Sequence, residues 1–444
     1  MSGQSFRFLH AGNFHLERTL AGFSDPPEHM IESLVNAPYD AAEQVFQSAI
    51  REEVDFVVLS GDLFDPTHAG PRAVAFLRTQ FEKLGSRGIS VYWSASEDDL
   101  KEDCIRNIEW PANVRIFTSD KVEQLTHYRG EHAIADLLGR SWNPQMPLHA
   151  GEFLSLAIGG YQIAVMHGKS DLFNEPRQGL EYWAAGGADV PDTPFKGIVT
   201  AHCPGSPQGF TPRDTGPHGC TLVSVAADGE TRLRMIETDV VRWYRENIDV
   251  VAGNARGEVQ NQLRSRLKSL AEHDRPALVT WKLSGIGRFD SSFARSIQRV
   301  ETLNWLRREF GYGTPAVWSI GLDIEPPHAL RAEWCEEDSI LGDYMQVVRD
   351  YQEEDEKPIE VRSLIGDEEL PRQVSSDTWL TDVFERDYVL REAAMLGLDL
   401  LRGDDSYSAK VPTPQSHASQ TPTLQAPPSQ IQPSQGPKAE RNVA

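Results

Sequence analysis

The run Asp55-Phe56-Val57-Val58-Leu59-Ser60 constrains this chain more than any other stretch. It is compact and rich in β-branched residues, and it is best read as a buried strand. Gly61-Asp62-Leu63-Phe64-Asp65 follows at once, so the strand empties directly into a polar loop. A buried strand needs partners on either side, and the flanking sequence supplies them.

Residues 6–10 read as a strand. Residues 39–53 carry apolar side chains at helical spacing (Ala42, Val45, Phe46, Ala49, Ile50) and follow Pro38, a good helix-start residue. A helix over 72–85 and a strand over 89–93 continue the rhythm. Strand and helix in alternation imply crossovers and a largely parallel or mixed α/β sheet. Further short strands are expected at 114–117, 153–158, 161–166 and 221–226. Near residue 240 the pattern changes. A strand at 277–283, a helix at 293–310 and a strand at 315–322 form a small α/β unit of their own. Helical spacing returns over 336–355 and 378–402.

At 444 residues the chain is too long for one ordinary core. The expected division is a first domain over 1–240, a small α/β domain over 245–330, a helical region over 331–403 and a Ser-, Pro- and Gln-rich tail over 404–444. Such a tail buries too little surface to offset its ordering entropy and is expected to be disordered. No basic-then-apolar leader opens the chain, and no window reaches the roughly 18 apolar residues of a membrane span. The four cysteines, Cys104, Cys203, Cys220 and Cys335, show no paired spacing and read as reduced thiols of a cytoplasmic protein. Lys and Arg number 43 against 66 Asp and Glu, a formal charge of -23. That charge repels phosphate backbones at long range and disfavours general DNA binding by this chain alone.

The chemistry-bearing residues stand where strands end. Asn13-Phe14-His15 follows the first strand and Gly61-Asp62 the second. Ser96-Glu97-Asp98-Asp99 follows the third, and a later strand runs into His167-Gly168. Gly186-Gly187-Ala188-Asp189 lies where one more loop would fall. His, Asp and Asn on converging strand-end loops are the donor types that hold hard divalent ions, and two such ions can position a hydroxide in line with a phosphorus atom.

These motifs resemble a known family. FLHAGNFHL is similar to the FLHxxDxHL opening of SbcD/YhaO-like DNA-repair exonucleases, of the calcineurin-like metallophosphoesterase superfamily. VVLSGDLFD is similar to their second signature, and Met166-His167-Gly168 to their strand-end histidine. Pro204-Gly205-Ser206-Pro207-Gln208-Gly209 with Thr215-Gly216-Pro217-His218-Gly219-Cys220 resembles a segment of the YhaO branch. The resemblance spans roughly residues 6–226. It implies a four-layer α/β phosphoesterase sandwich with a smaller C-terminal α/β capping domain. It also implies Mn²⁺ or another divalent metal, and phosphodiester hydrolysis. The C-terminal helices suggest docking onto an SMC-like coiled-coil ATPase, with DNA reached through the complex and no membrane involved.

The residues carried over by the resemblance are His15, Asp62 and His167 as metal ligands. Asn13 replaces an aspartate, Glu97 an asparagine and Asp189 a histidine. Asp98 stands at the catalytic histidine position, and Gly187 at another ligand. The reduced set implies one ion or none, and hydrolysis weakened or lost. His202, tied to a later strand by the PGSPQG that follows it, is not counted as a ligand. His10 reads as structural, His218 as a packing or turn residue, and Asp98 and Asp99 as acidic residues at a helix start. Three readings stay open: a metal-dependent exonuclease with a carboxylate-rich site, a non-catalytic subunit beside an ATPase or catalytic paralogue, and a binding protein for a small phosphorylated ligand.

Overall fold

A computed structural model describes residues 4–154, 160–168, 180–197, 199–249, 256–284, 299–324, 332–353 and 383–401. The chain divides into two compact units, residues 1–329 and 330–444.

Two mixed sheets dominate the first unit. The first runs β12-β11-β1-β2-β3-β4 and contains β1 (Phe6–Ala11), β2 (Phe56–Leu59), β3 (Ser90–Trp93), β4 (Val114–Ile116), β11 (Gly219–Val225) and β12 (Thr231–Glu237). The second runs β5-β6-β7-β8-β10-β9. It contains β5 (Glu123–Arg129), β6 (His132–Arg140), β7 (Gln162–His167), β8 (Tyr182–Gly186), β9 (Asp192–Phe195) and β10 (Thr200–Cys203). β1 to β4 pair in parallel, as do β6, β7, β8 and β10. Their C-terminal ends therefore open toward shared edges, where loops can meet.

β2 explains why its sequence does not alternate. Phe56 and Val58 face the second sheet, packing with Phe8, Leu137, Ile163 and Tyr182, and the Phe8 and Phe56 rings stack at 5.0 Å. Val57 and Leu59 face the other way, onto Val45, Phe46, Leu77 and Phe81 of α1 (Glu28–Arg51) and α2 (Pro66–Gly85). A strand buried on both faces has no polar face to show. The outer side of the second sheet (Ala164, Met166, Trp183) is covered by Phe153 of α3 (Ala150–Leu154). Helix, sheet, sheet and helix give four layers.

A third, parallel sheet of β13 (Arg242–Asp249), β14 (Ala277–Ser284) and β15 (Val317–Ile324) carries α4 (Arg256–Ala271) and α5 (Arg299–Phe310) on one face. Trp243, Leu278 and Trp318 on its other face pack against Leu20, Met30, Leu34 and Phe210. In the second unit, Leu341, Met345 and Val348 of α7 (Ile340–Glu353) meet Leu390, Ala394 and Leu398 of α8 (Val383–Leu401). Trp334 of the short α6 (Ala332–Cys335) joins them. Among the described residues no helix is long and apolar enough to cross a membrane.

Three local expectations are corrected. α1 begins at Glu28, and Pro38 lies inside it. Burial of Met30 and Leu34 beside Phe210 and Trp243 offsets the backbone bond that an internal proline removes. α2 starts at Pro66, capped by Asp65, and is interrupted at Gly70. The strand expected over 153–158 begins as helix, because Phe153 is taken into the core beside Trp183, while residues 155–159 lie outside those described. The tail over 404–444 also lies outside them.

Candidate metal centre

Asn13, His15 and Asp62 occupy the loops after β1 and β2, and all three have positive φ, at 54°, 46° and 54°. Left-handed backbone is uncommon away from glycine, so these loops are held by their surroundings. The Asn13 N–H donates to Gly61 O at 2.8 Å and the His15 N–H to Asp62 O at 3.0 Å, lacing the two loops together. Gly186 and Gly187, after β8, complete the approach. A Cβ on Gly186 would collide with the Ser60 carbonyl, and Gly187 adopts a φ of +90°.

The side chains then find partners within the protein. Asn13, 2% exposed, donates from Nδ2 to Ala188 O at 2.5 Å and accepts the Gly187 N–H on Oδ1 at 3.1 Å. His15 lies between Asp189 Oδ1, 3.3 Å from Nε2, and Glu17 Oε1, 3.6 Å from Nδ1. Burial works against a charge on this ring, but Asp189 and Glu17, with Asp62 nearby, outweigh it and push its pKa up to about 9. Asp189 is held below the usual carboxylate range, chiefly by its bond to His15. The Arg18 guanidinium lies 3.6 Å from Asp189 and stacks 4.4 Å over Phe210.

His167 keeps a different posture. Its Nδ1 lies 2.9 Å from Ser60 O, and because a carbonyl only accepts, Nδ1 is the donor. Nε2 is turned toward Asp62 Oδ2 at 3.4 Å. A backbone carbonyl that orients one ring nitrogen and presents the other is the arrangement that supports metal-ligating histidines.

The loop after β3 departs most from expectation. Glu97 is exposed. Asp98, at the catalytic histidine position, is half exposed and paired with Lys101 at 2.6 Å. Asp99 lies in the turn that leads into a 3-10 helix over Lys101–Arg106, and its N–H donates to Ser96 Oγ at 3.1 Å, as expected of an acidic residue at a helix start. It is fully buried and accepts N–H bonds from Leu63, Phe64 and Ser96, with the Trp93 indole at 3.4 Å. Its role, and those of Glu17, Arg18 and Lys101, were not legible in the sequence. Asp99 differs from Asp98 only in which way the turn faces.

The three further histidines near these strands bond within the core. His10 bonds to Tyr182 Oη and Ser60 Oγ, and His202 to Thr193 and Thr221 hydroxyls at 2.8 and 2.7 Å. His218 contacts Ser206 and the Asp214 carbonyl.

The structure thus brings Asn13, His15, Asp62, His167 and Asp189 together. Their donors do not fit a two-metal centre. Asn13 spends both ends of its amide on backbone, His15 is engaged on both nitrogens, and among the described residues no group of three or more His, Cys, Asp or Glu converges to hold an ion. Asp62 and His167 remain as a facing pair.

Two stacked mixed sheets flanked by helices, with loops from parallel strands meeting at one site, define a four-layer α/β sandwich. The chain is similar to the uncharacterized metallophosphoesterase YhaO of Bacillus subtilis (strain 168), at 27% identity over 332 residues. The match covers 72% of this chain and 81% of that protein. A dimetal phosphatase from Danio rerio aligns over 52% of this chain and 98% of its own at 9% identity, with a TM-score of 0.31. No protein-family profile matches the chain.

Proposed function

We propose that this chain is a relative of the SbcD/YhaO-like DNA-repair exonucleases that has lost phosphodiester hydrolysis and works as a phosphoesterase-fold subunit beside an SMC-like ATPase or a catalytic paralogue. The observation that carries the reading is the Asn13 amide, committed at both ends to the backbone of residues 187–188. Asp98 adds to it. A carboxylate where the resemblance puts a histidine sets an anion beside a phosphate and removes the cation that would stabilise a leaving group. The formal charge of -23 favours contact with DNA through a complex over contact by this chain alone.

A nuclease assay on single- and double-stranded ends with Mn²⁺, run beside Asp62→Ala, tests the reading. The expected result is no difference between the two proteins. Cleavage by the wild type that the substitution abolishes would overturn it. A pull-down that recovers a long coiled-coil ATPase is the expected outcome for the partner.

One observation favours a second reading, a weakened hydrolase with a single ion. His167 Nε2 and Asp62 Oδ2 still face each other, with the ring oriented by Ser60 O. Calorimetric titration with Mn²⁺ that yields one tight site, lost in His167→Ala, would support this reading over the first.

A further inference from the structure

The loops that meet at this site are joined by protein groups. We propose that Asn13, with the His15–Asp189 pair, is a built-in replacement for bridging cations: a clamp that closes the site from within and frees the fold from dependence on divalent metal. The inference deepens the functional reading above and rests on it for the meaning of the site.

Position 13 discriminates between the two ways of closing these loops. The two groups it meets belong to neighbouring residues of one loop. One is a carbonyl that can only accept, Ala188 O at 2.5 Å, and the other an N–H that can only donate, from Gly187 at 3.1 Å. Among side chains of this length only a carboxamide offers a donor and an acceptor in one plane without first taking up a proton. Aspartate has the same shape and could still accept from Gly187. Its second oxygen, when ionised, would then face the Ala188 carbonyl with no proton between them, buried, an arrangement that calls for a cation or for uptake of a proton.

The same residue donates its own N–H to Gly61 O at 2.8 Å, so position 13 ties the loops after β1, β2 and β8 in one place. The left-handed φ of 54° is one that asparagine tolerates better than most residues. The second tie runs parallel to the first. His15 reaches Asp189 through Nε2 and Asp62 O through its backbone N–H. Where the resemblance puts a further ligand, Gly187 offers backbone only, with its φ of +90°.

The test is thermal unfolding of the full chain and of Asn13→Asp, each in EDTA and in Mn²⁺. Wild type is expected to melt at the same temperature in both. Asn13→Asp is expected to melt roughly 5 °C lower in EDTA and to recover with Mn²⁺, whereas Asn13→Ala loses the bonds and gains nothing from the ion. A wild-type melting temperature that rises with Mn²⁺ or falls in EDTA overturns the clamp. So does an Asn13→Asp protein that melts like wild type, or whose loss Mn²⁺ does not reverse. If that variant does not fold, the wild-type and Asn13→Ala curves still decide. Nuclease activity alone bears only on the functional reading, and metal-dependent melting without cleavage bears only on the clamp.

Discussion

The Asp99 carboxylate accepts the Leu63 N–H at 2.8 Å, a bond that ties the loop after β3 to the loop after β2 inside the core. Phe64 N–H and Ser96 N–H share the same carboxylate. Replacing it with a methyl group would leave buried N–H groups unpaired. Asp99→Ala is expected to lose about 4 kcal/mol and Asp99→Asn about 2 kcal/mol, read from urea unfolding. An Asp99→Ala protein as stable as wild type would contradict this account.

Acid sensitivity should arise in the core beneath the site. Burial lowers the His202 pKa from its ordinary 6.5 to about 4, and burial together with His202 lowers His10 well below its ordinary value. The unfolded chain therefore takes up these protons first as the pH falls. The contribution of these two histidines is expected to be full above about pH 6.5 and to decline toward pH 4, by about 3 kcal/mol from His202 alone. Urea midpoints measured at pH 7 and 4.5 check it. The expected drop should be smaller in His202→Asn, and a wild-type midpoint unchanged between the two values would refute the prediction.

Gly186 sits where the β8 backbone meets the Ser60 carbonyl, a neighbour with no freedom to swing aside. Gly186→Ala is expected to cost about 3 kcal/mol. The midpoint of chemical denaturation reads it, with Gly257→Ala on α4, where a Cβ meets nothing within 4 Å, as the control that should not lose stability.

Restoring a histidine at position 98 should not by itself restore chemistry. Asp98 pairs with Lys101, which also reaches Asp65 Oδ2 at 2.8 Å. Asp98→His is expected to leave hydrolysis of an activated phosphodiester in Mn²⁺ at background and to change stability by about 1 kcal/mol or less, as for other exposed pairs. Turnover above background in this variant would mean that the remaining donors already hold a working metal.

Much of the fold was legible because it is local. The unbroken apolar run of β2, the polar residues after each strand and the helical spacing over α2 each lie within a dozen residues. The start of α1 was not, since Pro38 signals a boundary and only the packing of Met30 and Leu34 against Phe210 and Trp243 overrides it. At the site, the loops and their altered residues could be found by position. Which aspartate of the Asp98-Asp99 pair turns inward could not.

The sequence by itself determined that strands end in His-, Asp- and Asn-bearing loops, because apolar runs and polar breaks are written along the chain. Only the tertiary structure decided what those side chains bind. Asn13 and Ala188 lie 175 positions apart, and they meet because parallel strands of two stacked sheets deliver both loops to one place. A hydrogen bond depends on distance and direction in space, and neither is contained in the spacing of letters.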